Sequence, residues 1–500
     1  MPVHPRTPVL VAYGQVNHRD AIDSAARCVE PVDLMETAAR EAADARVLEA
    51  VDSIRIVNLL SAHYRDPGLL LGQRIGAREF TTLYTPVGGN VPQSLVNQAC
   101  LDIQRGNAGV VLLAGAETWR TRTGLRAQGS KLVWTVQDDS VPQPEVTGED
   151  VPMVGDAEIR IKLDRPAYVY PLFEQALRIA NGESPDDHRR RIGELWARFN
   201  AVAVDNPHAW IRKSVTAEEI WQPGPQNRMI SWPYTKLMNS NNMVDQGAAL
   251  ILTSVERARQ LGIPDERWVY PHAGTDSHDT SAIAERGALH RSPAIRIAGA
   301  RALELAGVGI DEVDYIDLYS CFPSAVQVAA AELGLAVDDP DRPLTITGGL
   351  TFAGGPWNNY VMHSIATLAE LLVENPGRRG LITANGGFLT KHSFGVYGTE
   401  PPAQAGRASL FQWEDVQATV DREPTANAIV EWEGVGTVES WTTPFDRDGQ
   451  PEKAFLSVRT PDGSRTLALI TDRAAAQETV ADDIAGQKVA VTADGGATLL

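Results

Sequence analysis

The chain repeats one α/β pattern twice, and this repeat constrains its fold more than any other feature. Residues 51–62, VDSIRIVNLLSA, align with residues 310–321, IDEVDYIDLYSC. About thirty residues further along each copy, Gly88-Gly89 matches Gly348-Gly349, and each pair leads into a helical stretch. Two such halves can place equivalent strand-end loops around one shared cleft, where open α/β sheets usually bind their ligands.

Changes in composition and hydrophobic pattern along the chain predict the domain organisation. The first 125 residues alternate aliphatic runs with helical stretches, which predicts βαβ units with parallel strands buried on both faces. Residues 124–232 are richer in Pro, Asp and Trp, which predicts an insertion rather than a sheet layer, with one clear helix capped by Ser184. Short β-rich runs from residue 404 onward, with a turn at 461–463, predict an antiparallel barrel.

The predicted fold class is therefore α/β, with duplicated halves, an inserted loop domain and a C-terminal all-β barrel of OB-like type. A length of 500 residues allows about three domains. We place the first half with its insertion at 1–270, the second half at 271–403 and the barrel at 404–500.

Charge and cysteine content exclude several function classes. A formal net charge of −19 opposes binding to phosphate backbones or anionic lipid, so we expect neither a nucleic-acid partner nor membrane insertion. Three cysteines are too few for a disulfide framework. The sequence also contains no Cys-x-x-Cys pair, the spacing that would predict a zinc site. The longest aliphatic run, at 110–116, is too short to span a membrane, and the N-terminus lacks a signal-peptide core. We expect a cytoplasmic protein without a metal or a resident cofactor.

Three segments give the chain a resemblance to the thiolase superfamily. They are LMNSNNMVDQGAALILTS at 237–254, IQRGNAGVVLLAGAETW at 103–119 and GGLTFAGGPWNN at 348–359. In that family they read approximately N-A-S-G-x-N-D-G-A-A, I-x-x-G-x-x-x-x-x-x-A-G-G-x-E-S-M and G-G-A-x-x-x-G-H-P-x-G. The resemblance covers about the first 400 residues. It implies the thiolase fold, CoA or an acyl-CoA as ligand and acyltransferase chemistry in lipid metabolism.

The same resemblance implies where four functional side chains would stand, and all four are replaced. The nucleophilic cysteine of the family falls on Gly89 and the histidine of the G-H-P loop on Gly355. The asparagine of the N-E-A-F loop falls on Tyr319, and the acid/base cysteine on Ala384. Acyl transfer through the enzyme needs a nucleophile with a base within hydrogen-bond reach. We therefore expect no classical thiolysis or Claisen condensation.

The remaining candidates for catalysis are Cys321, Tyr319 and His392. Cys321 follows a predicted strand, and the helix that begins near Pro323 would lower its pKa, unless the thiol is simply a buried small side chain. His392 opens a predicted helix next to Lys391, where it could act as a base or could serve packing alone. The candidates for substrate binding are Asn241, Trp357, Asn358, Tyr360 and Asn385. Asn241 stands where the family has a serine near the pantetheine arm.

Three functions remain open from the sequence. The first is binding of CoA or acyl-CoA without thiolysis. The second is retro-aldol cleavage of a β-hydroxyacyl-CoA such as a steroid side chain, with Tyr319 and Tyr360 as acid and base. The third is a non-catalytic scaffold for a protein partner. The sequence also favours a monomer, because Pro86 and Gly88-Gly89 disrupt the strand through which thiolases pair, although a dimer stays possible.

Overall fold

The computed structural model describes residues 3–22, 28–402 and 410–500. Within these residues the α-helices are α1 Pro31–Ala42, α2 Ala45–Glu49, α3 Pro67–Ile75, α4 Val91–Arg105, α5 Trp119–Ala127, α6 Asp156–Ile161, α7 Pro166–Asn181, α8 Pro185–Asp205, α9 Ala217–Trp221, α10 Val255–Gln260, α11 Pro293–Ala306, α12 Pro323–Leu333, α13 Gly349–Phe352, α14 Tyr360–Glu374, α15 Gln417–Val420 and α16 Arg473–Ala481. The strands are β1 Pro8–Asn17, β2 Ser53–Ile56, β3 Thr81–Tyr84, β4 Val110–Thr118, β5 Glu145–Val146, β6 Met229–Trp232, β7 Tyr234–Thr235, β8 Asp245–Ser254, β9 Tyr270–His278, β10 Tyr315–Asp317, β11 Arg379–Gly386, β12 Lys391–Gly398, β13 Gln412–Asp415, β14 Gly434–Pro444, β15 Ala454–Arg459, β16 Arg465–Ile470, β17 Lys488–Val491 and β18 Ala497–Leu499.

The predicted duplication is confirmed by the sheet topology. The first sheet has the strand order β1-β8-β4-β2-β3-β5, and the second has the order β10-β11-β12-β9-β13. Pairing runs antiparallel, antiparallel and parallel along β1-β8-β4-β2, and it does the same along β9-β12-β11-β10. The long helices α4 and α14, which follow the repeated Gly-Gly pairs, contact each other between the sheets. The two halves therefore share one core.

The strands of the first 125 residues run parallel to one another, as expected, because β1, β4, β2 and β3 share one direction. β8 lies between β1 and β4 and is antiparallel to both, while β2, β3 and β5 continue the sheet in parallel. Helices cover both faces of this sheet, so the central strands are buried along almost their whole length. A strand buried on both faces gives the same sequence pattern in either direction, although such runs are typical of parallel sheets.

The insertion contains helices α6 to α9, whereas the sequence predicts only the helix that Ser184 caps. Ser184 caps α8, because its hydroxyl accepts a hydrogen bond from the backbone N–H of Asp187. The insertion is not a sheet layer of its own, but it adds short strands to two sheets. The two-residue strand β5 pairs with β3 at the edge of the first sheet, and β6 pairs with β14 of the barrel.

The C-terminal region forms the expected antiparallel β-structure. Its strand order is β16-β15-β14-β17-β18, with α16 between β16 and β17. A bridge from Leu469 to Gly496 brings β16 back to the segment before β18, so the sheet curls into a partly open barrel of OB type. The predicted turn at 461–463 joins β15 to β16, with Gly463 at a φ of 86°. The predicted start of this domain at residue 404 lies outside the described residues.

Helix α14 is buried on almost every face because it lies between the two sheets. Neither α14 nor any other helix in the described ranges has the length and apolar character needed to cross a membrane. The cytoplasmic location stays a prediction.

Candidate functional site

A cavity of about 570 Å³ lies where strand ends from both halves meet the insertion. The first half contributes the loop at 87–89, and the second half contributes the segments around Tyr319 and Asn385. The insertion closes one side with residues 164–167, the rim segment, at the start of α7. Most of the remaining lining is apolar or aromatic: Leu60, Met153, Tyr170, Phe322, Leu350, Trp357 and Phe388. This is the shared cleft that the duplicated halves predict.

The nucleophile position of the family is closed in this cavity. A Cβ atom built on Gly89 would lie 2.9 Å from Cζ of Tyr319, and closer still to the Tyr319 hydroxyl and to the carbonyl oxygen of Asn385. Carbon and oxygen atoms do not approach so closely without displacement of one of them. The phenol of Tyr319 therefore fills the space that a cysteine side chain at residue 89 would need.

The histidine position of the family is crowded, although less tightly than residue 89. A Cβ atom on Gly355 would lie 2.9 Å from Oδ1 of Asn242 and 3.3 Å from Cβ of Ser240. Asn242 and Ser240 both line the cavity. The fourth replaced position, Ala384, is buried in β11 and does not line the cavity, whereas its neighbour Asn385 does.

Cys321 lines the cavity but is held as a thiol. Its burial raises the pKa to about 12, although contacts with Tyr170 and Asn385 favour the thiolate in part. Nδ2 of Asn385 lies 3.8 Å from the sulfur. At neutral pH the sulfur keeps its proton, and a neutral thiol is a poor nucleophile. The nucleophilic role of Cys321 stays a prediction.

His392 does not reach the cavity. It lies in strand β12 rather than at a helix start, and its Nε2 is 3.4 Å from the buried carboxylate of Asp279. It lines a separate pocket of about 230 Å³ on the far side of the loop at 87–89. Lys391 lines that pocket too and donates a hydrogen bond of 2.8 Å to the carbonyl oxygen of Val87. The flanking residues FLT form a turn and not a helix start, so the local sequence misled the helix expectation.

The two tyrosines of the retro-aldol hypothesis have different surroundings. Tyr319 lines the cavity, and burial raises its pKa well above 10, so the hydroxyl keeps its proton. Tyr360 lies behind it, with ring centroids 5.6 Å apart and the planes nearly perpendicular. The Tyr360 hydroxyl donates to Oδ2 of the buried Asp317 at 2.9 Å and also contacts Thr347. Tyr360 supports the structure beneath the cavity and does not line it.

Three of the five predicted binding residues line the cavity. These are Trp357, Asn358 and Asn385. Oδ1 of Asn358 accepts a hydrogen bond of 3.0 Å from the backbone N–H of Gly88, which ties the second half to the Gly-Gly loop of the first. Trp357 has a φ of 47°, an uncommon conformation for a bulky residue, and its ring packs on Trp119.

Asn241 is one residue away from the position that faces the cavity. Its backbone pairs with Leu350 and Gly355, while Asn242 lines the cavity. When the family pattern is counted back from Gly247, the serine position falls on Asn242. The spacing of the motif therefore predicts Asn242, rather than Asn241, as the residue at the cavity.

Tyr170, which no motif marks in the sequence, organises the floor of the cavity. Its hydroxyl accepts hydrogen bonds of 2.9 Å from Nδ2 of Asn385 and from the backbone N–H of Leu389. Its ring stacks on Phe322 at 4.4 Å between centroids. Tyr170 lies in helix α7 of the insertion, where no family motif marks functional residues, so the sequence did not indicate this role.

Glu117 was also missed and stands behind the cavity wall. Its carboxylate accepts backbone hydrogen bonds of 2.7 Å from Leu60 and Ser61, and Leu60 lines the cavity. Burial raises the pKa of Glu117 to about 7, despite these hydrogen bonds. The described residues contain no cluster of three or more His, Cys, Asp or Glu side chains that could hold a metal ion.

Comparison with known proteins places this arrangement in a family. Residues 415–496 match the family described as the thiolase-like protein type 1 additional C-terminal domain. The crystal structure of a monomeric SCP2-thiolase-like protein type 1 from Mycobacterium smegmatis is 33% identical, covers 100% of both chains and superposes with a TM-score of 0.83. An Ltp2–ChsH2(DUF35) aldolase shares the fold at 18% identity and a TM-score of 0.59, over 79% of this chain and 98% of that one.

Matches to curated proteins are shorter. Acetyl-CoA acetyltransferase IA of Candida tropicalis is 31% identical over 155 residues, which is 30% of this chain. The matched segment spans 34% of that relative, about a third of its length. The full-length agreement with the M. smegmatis protein and the match of the C-terminal domain together show that this chain belongs to the type 1 thiolase-like proteins.

Proposed function

We propose that the chain binds CoA or an acyl-CoA thioester in the 570 Å³ cavity and does not carry out thiolysis or Claisen condensation. The observation that carries this proposal is the position of Tyr319, whose phenol fills the space of the missing nucleophile above Gly89. No acyl-enzyme can form at residue 89, because glycine has no side chain to acylate and no room to gain one.

The other groups of the cavity support the negative part of the proposal. Thiolysis needs a thiolate and a base that removes its proton. Burial keeps Cys321 protonated, and His392 faces a different pocket. Gly355 supplies no imidazole, and Asn242 occupies the adjacent space.

The size and lining of the cavity support the positive part. Ligand pockets for small molecules usually have volumes of about 300–1,000 Å³ and an apolar lining with a few placed polar groups. This cavity combines aromatic and aliphatic walls with the Tyr319 hydroxyl, Ser240 and Asn385. The relatives named acetyl-CoA acetyltransferase favour a CoA ester as the ligand class.

Retro-aldol cleavage of a β-hydroxyacyl-CoA is the second candidate, and the protonated Tyr319 favours it. A phenol that keeps its proton can donate a hydrogen bond to the thioester oxygen as the Cα–Cβ bond breaks and an enolate forms. The β-hydroxyl proton must leave to a base at the same time, and the enolate must then take up a proton at Cα. Tyr360 is not that base, because its hydroxyl donates to Asp317 outside the cavity.

We propose that the chain is a monomer. Strand β3 precedes the Gly-Gly loop and corresponds to the strand through which thiolases pair. Here β5 pairs with it, and the backbone N–H of Thr147 donates to Tyr84 O at 2.9 Å. An edge that is already covered is a poor template for a second chain. The relative from M. smegmatis is described as monomeric.

Calorimetric titration with CoA, acetyl-CoA and a longer acyl-CoA tests the proposal. Ala167 lines the cavity at the rim segment, whereas Ala474 is exposed on α16. We expect saturable binding to the wild type and to Ala474→Trp, and loss of binding in Ala167→Trp. Equal binding by both variants would move the ligand to another site, and absence of binding to the wild type would favour the scaffold hypothesis.

A further inference from the structure

Strands β15 and β16 of the barrel have two apolar faces, although a free barrel needs only one. Ala454, Leu456 and Val458 alternate with Phe455 along β15 and pack inside the barrel with Ala468 and Ile470 of β16. Phe455 and Leu467 point to the opposite face and belong to the main core of the α/β region. Side chains alternate across a strand, so the outer face of this ribbon is a buried interface with the rest of the chain.

That face is the one through which OB barrels commonly hold their ligands, since the second and third strands form the usual binding surface. β15 and β16 are the second and third strands of this barrel. Fully buried Phe455 and Leu467 leave no room there for an oligonucleotide or oligosaccharide. The barrel therefore uses its ligand face for contact within the chain.

The contacts of this face surround the rim segment of the cavity on both sides. Before the rim, Arg160 of α6 donates hydrogen bonds to two barrel carbonyls, Leu467 O at 2.6 Å and Ala493 O at 2.9 Å. After the rim, Tyr168 in the first turn of α7 stacks on Phe455, with ring centroids 5.6 Å apart and an interplanar angle of 30°. The rim itself has only four residues, 164–167, between these two attachments.

A second line of contacts joins the barrel to the opposite wall. Arg465 of β16 is fully buried, is held by Glu439 and donates to the carbonyl oxygens of Ala284 and Arg286. Arg286 in turn donates to the carbonyl oxygen of Phe388 at 2.7 Å, and Phe388 lines the cavity. Two walls of the cavity thus depend on groups that the barrel holds.

We propose that the C-terminal barrel is a positioning domain that fixes the mouth of the cavity, with Arg160 and Tyr168 as its positioning residues. The barrel takes no ligand of its own on the β15–β16 face. It keeps the rim segment at the separation from Phe388 that the ligand requires.

Comparison of two arginine variants tests this proposal. Arg160→Gln removes the attachment before the rim. Arg473→Gln is the matched control, because Arg473 pairs with Asp446 at 3.3 Å within the barrel and touches neither wall. Amide hydrogen exchange of residues 162–170, read by mass spectrometry, reports the rim without any ligand. Titration with acyl-CoA reports the effect of each substitution on ligand binding. This second measurement rests on the proposed function.

In Arg160→Gln we expect exchange in the rim to be faster by about fivefold or more, and Kd for acyl-CoA to rise by a similar factor, because hydrogen bonds of a charged group are lost. Arg473→Gln should match the wild type in both measurements. Should Arg160→Gln fail to fold, Tyr168→Leu removes the stacking at a half-buried position and is expected to give the same two changes.

Rim exchange in the folded variant equal to that of Arg473→Gln would overturn the proposal. A wild type that binds no CoA ester would overturn the proposed function instead, and the exchange measurement would still decide the role of the barrel.

Discussion

Gly89 and Tyr319 share one space at the centre of the cavity, and neither can be understood alone. The phenol can stand above residue 89 because glycine has no Cβ, and any side chain there would meet the Tyr319 ring. Substitution of the nucleophile and entry of the tyrosine are therefore two parts of one change in packing. A single reversal at residue 89 cannot restore the chemistry of the family.

Gly89→Ala should lower the free energy of unfolding by about 1–3 kcal/mol, the usual cost of overpacking a well-filled interior. Gly224→Ala is the matched control, because a Cβ there meets no atom within 4 Å. Denaturant unfolding of both variants measures the difference. Equal stability of the two variants would show that Tyr319 does not occupy the space above residue 89.

Tyr319→Phe and Tyr360→Phe should have different effects, because Tyr319 lines the cavity and Tyr360 supports the structure beneath it. The described residues offer the Tyr319 hydroxyl no hydrogen-bond partner, so its loss should weaken acyl-CoA binding and change the free energy of unfolding by less than about 0.5 kcal/mol. Tyr360→Phe removes one hydrogen bond from buried Asp317 and should cost about 1–2 kcal/mol of stability. Binding and unfolding are measured on both variants, and the reverse pattern of effects would contradict these roles.

Among the four replaced positions, Gly89 and Tyr319 line the cavity, where spacing within the motifs predicts them. Ala384 does not line the cavity, although its neighbour Asn385 does, and Gly355 lies beside the lining residue Asn242.

The predicted binding residue Asn241 is wrong by one position, because a shift of one residue decides which side chain faces the cavity. Asn242 is the residue that lines it. Sequence reasoning also failed for His392, because a side chain in a strand can face either side and only the pairing of β12 with β9 and β11 decides which.

Among the helices and strands, the short strand β5 matters most for the oligomeric state that we propose. It has two exposed residues, yet it covers the strand edge that ends just before the Gly-Gly loop. No composition signal marks so short a strand, since it exists only because β3 offers unpaired backbone groups. The longer repeated elements were predictable, because their periodic burial and flanking glycines appear twice in the chain.

Thr147→Pro should expose the edge of β3 and promote self-association. The substitution removes the N–H that donates to Tyr84 O, and an uncovered edge is a template for pairing with another chain. Thr147→Ala keeps that N–H while losing the hydroxyl, so it should remain monomeric like the wild type. Sedimentation velocity at several concentrations measures the difference, and identical monomeric behaviour of both variants would argue against a protective role of β5.

At the scale of the whole molecule, the barrel and the α/β region are joined by a buried charge network that responds to acid. Burial opposes the charge on Glu439, but hydrogen bonds and attraction from Arg465 and Arg459 outweigh it and lower the pKa to about 2 from a usual value of 4.5. A carboxyl group with a lowered pKa in the folded state stabilises the fold above its unfolded pKa. That contribution is lost as the pH falls from about 4.5 to about 2.

Glu439→Gln should therefore be less stable than the wild type at pH 7, and the gap should narrow as the pH falls through this window. Unfolding free energies of the two proteins between pH 7 and the lowest pH at which both fold measure this trend. A gap that is independent of pH would show that Glu439 is not held ionised by Arg465.

The central claim is that the cavity binds a thioester without cleaving it, and one experiment tests it most directly. The purified protein is titrated with acetoacetyl-CoA, then mixed with free CoA, while thioester cleavage and the intact mass of the protein are followed on the same sample. We predict saturable binding, no cleavage and an unchanged protein mass, because Tyr319 closes the nucleophile position and Cys321 stays protonated. Steady formation of acetyl-CoA, or an acyl group attached to the protein, would contradict the account.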